Sequence, residues 1–327
     1  MRKLLSLILS LLIILGLSAC KGAPLQAKTP VSKAKVSIGV LKGPTGMGSA
    51  YLMEQSEKGE ALNEYSFTTA SAPTDLTGRL VSGELDMAAL PTNLAAALYT
   101  KTKGNVRILA LNTLGVLYIL SNGPEINSVE DLRGRTLYAT GQGANPEYVL
   151  NYILRQNGLE PDEDLTIEYK DSAELTALMA SGLAELCMLP VPAATTVLLK
   201  NPEVSIALDL TEQWNRVSDG STLTMGCIVL RNDSGLSEET ISNFLSEYEY
   251  SIDYVNENPE QAASLVAKFE ITGSAEIAKA AIPDSKLVFI SGEKIKEAIE
   301  GYYEVLFQAD PASIGGRLPG DDFYYTK

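Results

Sequence analysis

The chain has 327 residues, 45% of them hydrophobic and 20% charged, which suits two lobes of ordinary domain size and is too apolar for a disordered tail. Its formal charge of −15 argues against a broad nucleic-acid surface. It contains no histidine, which removes Ser-His-Asp and Cys-His nucleophilic catalysis and His-ligated zinc, and its three cysteines cannot staple a chain this long.

The chain opens with Met1-Arg2-Lys3 and an apolar run from Leu4 to Leu17, interrupted only by Ser6, Ser10 and Gly16. That run is shorter than the roughly 20 residues a bilayer span needs, so it reads as a secretory signal. It ends in Leu17-Ser18-Ala19-Cys20, which resembles the bacterial lipobox, with cleavage before Cys20 and a lipid such as palmitate on its sulfur. Residues 1–20 are therefore expected to be a lipoprotein signal peptide and 21–34 a flexible linker. Lys21, Lys28, Lys33 and Lys35 lie in or beside that linker, and no Asp or Glu occurs before Glu54. Such a stretch suits a tether over anionic headgroups, and equally a solvated linker with incidental lysines. The expected location is a cell membrane, lipid-anchored and facing outside the cytoplasm, at the extracellular face or in the periplasm.

Short apolar runs then alternate with amphipathic segments. Val36–Leu41, Tyr65–Thr69, Leu85–Ala89 and Val106–Leu111 read as strands, with helices beginning near Gly46, Asp75 and Asn93. After Leu117–Leu120 the pattern recurs. Thr136–Ala139, Leu165–Tyr169, Leu186–Leu189 and Val204–Leu208 are strands, and Pro146–Gln156, Ser172–Ser181 and Ala193–Leu199 are helices. This βαβ alternation implies mostly parallel sheets covered by helices. Thr224–Leu230 reads as a strand pairing with Leu117–Leu120, and the remainder as helical, over 238–256, 260–269 and 292–308. Ile295, Ile299, Tyr302 and Leu306 share one face of the last helix. Cys187 and Cys227 sit in apolar strand-like runs, where buried free thiols are the default and a disulfide is possible outside the cell.

The recurrence is visible residue by residue. TDLTGRLVSGELDMAALP (74–91) aligns without a gap onto AELTALMASGLAELCMLP (173–190), with six of 18 positions identical at an offset of 99. In both copies an amphipathic helix stops at a glycine and a buried strand stops at a proline. Two pseudo-equivalent lobes follow, 35–115 with 231–327 and 116–230, joined by two hinge crossings.

These features together resemble bacterial solute-binding lipoproteins of ABC importers, within the family serving nitrate, sulfonate, bicarbonate and thiamine-precursor import. The resemblance rests on Val36-Ser37-Ile38-Gly39-Val40 leading into a glycine loop, on Gly83-Glu84-Leu85-Asp86-Met87-Ala88, and on Ser128–Leu137, SVEDLRGRTL. It covers about residues 36–310. It implies an α/β, two-lobed type II periplasmic-binding-protein fold and a monomer partnered by an ABC permease and its ATPase. It says little about the solute.

Ligands of parallel sheets bind beyond the carboxyl ends of the strands. That rule selects Gly43-Pro44-Thr45-Gly46-Met47-Gly48, Ser71-Ala72-Pro73-Thr74, Pro91-Thr92-Asn93 and Asn112-Thr113 from one lobe. From the other it selects Thr140-Gly141-Gln142-Gly143-Ala144-Asn145, Asp171-Ser172 and Pro190-Val191-Pro192. The two glycine loops each follow a strand and open a helix, so backbone N–H groups of Gly46–Gly48 or Gly143–Asn145 are expected to hold an anionic group of the solute. Lys42 and Lys170 are the nearby cations. Neither glycine loop is a nucleotide motif, since the first lacks the Lys-Ser/Thr of a P-loop and the second the third glycine of a dinucleotide fingerprint.

The expected function is an extracytoplasmic receptor delivering a small anionic organic solute to an ABC permease, with no metal or cofactor. Enzyme activity is not expected, because no activated nucleophile or paired carboxylates fall in these loops. Eukaryotic thiamine-pyrimidine synthases share the fold but resemble a His- and Cys-bearing pattern that this chain lacks. The alternatives are a binder of a flat heterocycle, such as a thiamine pyrimidine precursor, and a solute sensor for a membrane receptor.

Overall fold

Among the described residues, eleven strands form two sheets. In chain order the strands are β1 (Lys35–Leu41), β2 (Glu64–Ala70), β3 (Met87–Pro91), β4 (Val106–Leu114), β5 (Leu117–Ser121), β6 (Thr136–Ala139), β7 (Thr166–Tyr169), β8 (Leu186–Pro190), β9 (Ser205–Asp209), β10 (Thr224–Arg231) and β11 (Leu287–Ser291). The structure, a computed structural model, describes residues 33–218 and 220–327. The expected signal, Cys20 and nearly all of the linker lie outside them. Within residues 34–327, which form one compact unit, the helices are α1 (Pro44–Met47), α2 (Ala50–Glu57), α3 (Pro73–Ser82), α4 (Thr92–Lys101), α5 (Asn145–Gln156), α6 (Ser172–Ala180), α7 (Ala193–Lys200), α8 (Leu210–Val217), α9 (Glu238–Glu257), α10 (Pro259–Lys268), α11 (Ala275–Ala281) and α12 (Lys294–Ala309).

The six-stranded sheet runs β11-β4-β10-β3-β1-β2 and the five-stranded sheet β7-β6-β8-β5-β9. The second order repeats the first without its edge strand. In each sheet a parallel trio, β2-β1-β3 or β7-β6-β8, is followed by one antiparallel strand, β10 or β5. The expected pairing of Thr224–Leu230 with Leu117–Leu120 is therefore corrected. Each is the antiparallel strand of its own sheet, and β10 belongs with β3 and β4, not in the lobe expected to end at Leu230. The exchange is reciprocal: each lobe's antiparallel strand is joined in sequence to the end of the other lobe.

The 99-residue echo is structural. α3 is followed by Gly83 at φ 83° and α6 by Gly182 at φ 75°, the left-handed stop that glycine takes without steric cost. The strands that follow, MAALP and LCMLP, are buried except at their terminal prolines, as strands covered on both faces should be. Cys187 and Cys227 are buried free thiols in different sheets.

The first crossing is only Gly115-Val116; the second runs through α8. They pack on each other at Gly115, where an added Cβ would lie 2.2 Å from Thr211 Oγ1 and 2.7 Å from Leu223 Cδ2. Helix α8 occupies what read as a polar stretch, and β11 and α11 break what read as a wholly helical remainder. The amphipathic α8 buries Leu210 and Trp214, so tertiary packing and not length holds its eight residues in a helix. Hydrophobic core lies on both faces of the sheets and runs through both lobes. One cluster joins Leu76 and Leu90 to Leu186, Trp214 and Tyr302, and the other joins Val36 and Leu109 to Leu189 and Phe244.

Candidate functional site

The carboxyl ends of β1, β2, β3 and β4 and those of β6, β7, β8 and β9 define the site. The antiparallel strands enter it by their first residues, Thr224 lying opposite Leu114 and Leu117 opposite Pro190.

The first glycine loop is built inward. Gly43 turns at φ 94° and donates its N–H to Ile271 O at 2.9 Å. The N–H groups of Gly46 and Met47 both bond Gly43 O, at 3.0 and 3.2 Å, and Ser49 N–H bonds Gly46 O at 3.0 Å. Gly46 is glycine because the turn lies against β1: a Cβ there would stand 1.9 Å from Leu41 O. Gly48 packs on Ile252, and its carbonyl accepts from Ser251 Oγ at 2.6 Å. The expectation that this backbone is bare for an anion is corrected: close packing is what the glycines serve. Pro44 and Thr45 are half-buried, and Thr45 O accepts from Asn112 Nδ2 at 3.1 Å. Asn112 also donates to Tyr248 OH at 2.9 Å.

The second glycine loop carries its own anion. Gly141 and Gly143 both have positive φ, and the Gly143 N–H donates to Glu147 Oε2 in the first turn of α5. Ala144 N–H bonds Gly141 O at 3.1 Å. A helix start of this kind favours negative charge, and the chain supplies it. Thr140 is half-buried and Gln142 exposed, whereas Asn145 is buried at 4% exposure with no hydrogen-bond partner for Oδ1.

Of the other expected residues, Ser71 and Thr74 are exposed and Ala72 and Pro73 half-buried at the start of α3. Pro91 ends β3, Asn93 Nδ2 reaches Ser313 O at 3.4 Å, and Pro190 ends β8. Val191 N–H donates to Val116 O at 3.0 Å, tying β8's end to the first crossing. Thr92 is fully buried, with Oγ1 donating to Thr224 O at 2.8 Å and its own carbonyl accepting from Tyr303 OH at 2.8 Å. Around it lie two fully buried hydroxyls, Thr224 Oγ1, which has no partner, and Tyr302 OH, beside the Thr92 hydroxyl. Burial pushes the Tyr302 phenol above its ordinary range, and the Thr92 hydroxyl beside it offsets little of that. Its ring meets Trp214 at 5.7 Å, and Trp214 meets Tyr152 of α5 at 4.8 Å, so α12 touches the other lobe through aromatic rings. Tyr148 OH donates to Asp310 Oδ2 at 2.9 Å beside them.

Thr224 and Tyr302 were not selected from the sequence. The first is a β-branched residue at a strand start, and the second shares an apolar helical face, so both look like core.

The cations at the strand ends are paired. Lys42 lies 4.0 Å from Glu270, Lys170 3.3 Å from Glu174, and Lys286 3.5 Å from Asp209. Burial raises the phenols of Tyr118 and Tyr148, the latter to about 12, and neighbouring carboxylates add to it: Asp209, Asp284 and Glu212 for Tyr118, Asp310 and Glu147 for Tyr148. Five cavities of about 200 to 470 Å³ stand out among the described residues, and none is lined by the loops selected above. No group of His, Cys, Asp and Glu among the described residues is arranged to hold a metal ion.

Two helix-flanked α/β lobes exchanging antiparallel strands through two crossings define the type II periplasmic-binding-protein fold. Residues 69–262 match the family described as NMT1/THI5 like, and the chain belongs to that family. Among solved structures it is similar to a Parabacteroides distasonis protein described as an ABC transporter, at 21% identity and TM-score 0.77 over 90% of this chain and 99% of that one. It is similar to the periplasmic aliphatic sulphonate-binding protein of Escherichia coli, at 18% identity and TM-score 0.69 over 89% and 98%. The periplasmic nitrate-binding protein of Synechocystis PCC 6803 follows at 15% identity and TM-score 0.53 over 80% and 74%. No curated protein matches the sequence.

Proposed function

We propose that the protein is an extracytoplasmic solute-binding protein, lipid-anchored at Cys20, that hands a small organic solute to an ABC permease and its ATPase. The observation that supports this reading is the repeated sheet order, with Leu114 opposite Thr224 and Leu117 opposite Pro190, so that strand ends of both sheets lie beside the two crossings that link the lobes. Such an arrangement can close on a solute from two sides, with the crossings as hinge. The family membership and the names of the similar structures support transport. A lobe pair of 35–115 with 224–327 and 116–223 fits the strand exchange.

Binding is favoured over catalysis because the loops hold hydroxyls and amides, and the two described thiols are buried in strands. No helix among the described residues is long and apolar enough to cross a membrane, so membrane attachment rests on the Cys20 reading. The protein acts as a monomer. The test is a thermal-shift screen of purified protein against a metabolite library. Saturable stabilisation by one compound class supports the proposal, and the absence of any stabilising compound contradicts it. Loss of uptake of that compound on deleting the gene would separate a transporter from a sensor.

A further inference from the structure

The names of two similar structures carry anions, sulphonate and nitrate. The charges at the strand ends of this chain do not favour an anion. Lys42, Lys170 and Lys286 are each neutralised by a carboxylate, and the Gly143 N–H is taken by Glu147. Asp284 and Asp310 add negative charge, with Asp284 contributing its carbonyl to Tyr118 OH at 3.1 Å. An anion entering here would meet no unpaired cation among these groups, and a net negative field.

The buried groups without partners point the same way. Thr224 Oγ1 and Tyr302 OH are fully buried, and Asn145 Oδ1 is buried at 4% exposure. Thr224 stands level with the carboxyl end of β4, and Asn145 follows the carboxyl end of β6 in the facing lobe. The hydroxyls can accept or donate, and Asn145 Oδ1 can only accept. A buried polar atom without a partner has lost its water and gained nothing, so a group that bonds it on arrival recovers that cost as affinity.

We infer that the solute is neutral or cationic and donates hydrogen bonds from hydroxyl or amine groups to Thr224, Tyr302 and Asn145. This rests on the solute-binding reading and fixes the sign of its ligand, replacing the anionic solute expected from the glycine loops.

The test uses a small-molecule extract of the source cell, split on anion- and cation-exchange resins, with melting temperature as readout for the parent and for Thr224→Val and Tyr302→Phe. Stabilisation is expected from the unretained or cation-retained fraction. The active compound should bind each variant roughly five- to tenfold more weakly, the worth of one hydrogen bond. Without any fraction, Thr224→Val should melt at or above the parent temperature, since its hydroxyl finds no partner; a structural role would lower it. Activity confined to the anion-retained fraction overturns the inference and leaves solute binding intact. Undiminished binding by both variants overturns the assignment of these hydroxyls. Stabilisation by no fraction overturns solute binding itself, and the inference with it.

Discussion

Gly46 distinguishes a glycine that serves packing from one that serves a ligand. In Gly46→Ala the new methyl would stand 1.9 Å from Leu41 O and 2.8 Å from Val40 Cγ1. The first neighbour is backbone at the end of β1 and cannot rotate away, so the strand end or α1 must move. Forcing an extra methyl into such a space costs about 1–3 kcal/mol, and backbone displacement sets the upper end. The gain in helix propensity, about 0.5–1 kcal/mol, is smaller. The net loss, about 2–2.5 kcal/mol at the upper end, should lower the melting temperature by roughly 3–4 °C in a chain of this size. Gly143→Ala is the control: its φ is 72°, yet nothing lies within 4 Å of the added methyl. Only the left-handed penalty of about 1–2 kcal/mol applies there, a fall of roughly 2–3 °C. Differential scanning fluorimetry of both variants decides the matter. A Gly46→Ala protein that melts with the parent, or above Gly143→Ala, refutes the packing role and reopens the first glycine loop as a ligand cradle.

Three further outcomes are expected. Burial pushes the Cys187 thiol up to about 12 and drives Cys227 above its ordinary range, and both side chains are inaccessible. A Cys20→Ala protein should therefore show no titre with Ellman's reagent near pH 8 until guanidinium exposes both thiols. Asp131, held down by the N–H groups of Asn127 and Ser128, and Glu54, held down by Lys268, have folded values below the usual carboxylate range. Their stabilisation is present above the unfolded value near 4 and fades as pH falls through the folded one. Melting temperature should thus hold from about pH 7 to 5 and drop below about pH 4, less steeply in Asp131→Asn. In cells, Cys20→Ala should release the protein from the membrane fraction or leave an uncleaved precursor. Continued labelling of that variant by a palmitate analogue would refute the anchor.

Much of the architecture was legible because it is local and written twice. The helix-glycine-strand-proline unit at 74–91 and 173–190 fixes periodicity, stop and burial within eighteen residues, and these elements fall where the pattern places them. The partner of Thr224–Arg231 was not legible. Both antiparallel strands are short apolar runs, and the choice between sheets depends on partners 65 to 143 positions away. Leu287–Ser291 escaped as a strand because it is brief and only half-buried at a sheet edge. At the site, the selected loops follow the strand ends as the pattern places them, but the packing of their glycines was not legible. A glycine pressed against Leu41 O and one open to solvent look alike in one dimension, and nothing local shows that Glu147 takes the Gly143 N–H. Thr224 and Tyr302 were hidden because their burial and lack of partners arise only when β3, β10 and α12 meet around Thr92.

The central claim is that two lobes close on one solute, and small-angle X-ray scattering tests it most directly. The purified protein is measured alone and with the compound that raises its melting temperature, at saturation and at several protein concentrations. The account predicts a smaller radius of gyration at unchanged mass, as the crossings at Gly115-Val116 and α8 let the strand ends approach. An unchanged radius at saturation would place the solute in a rigid pocket of one lobe and contradict it.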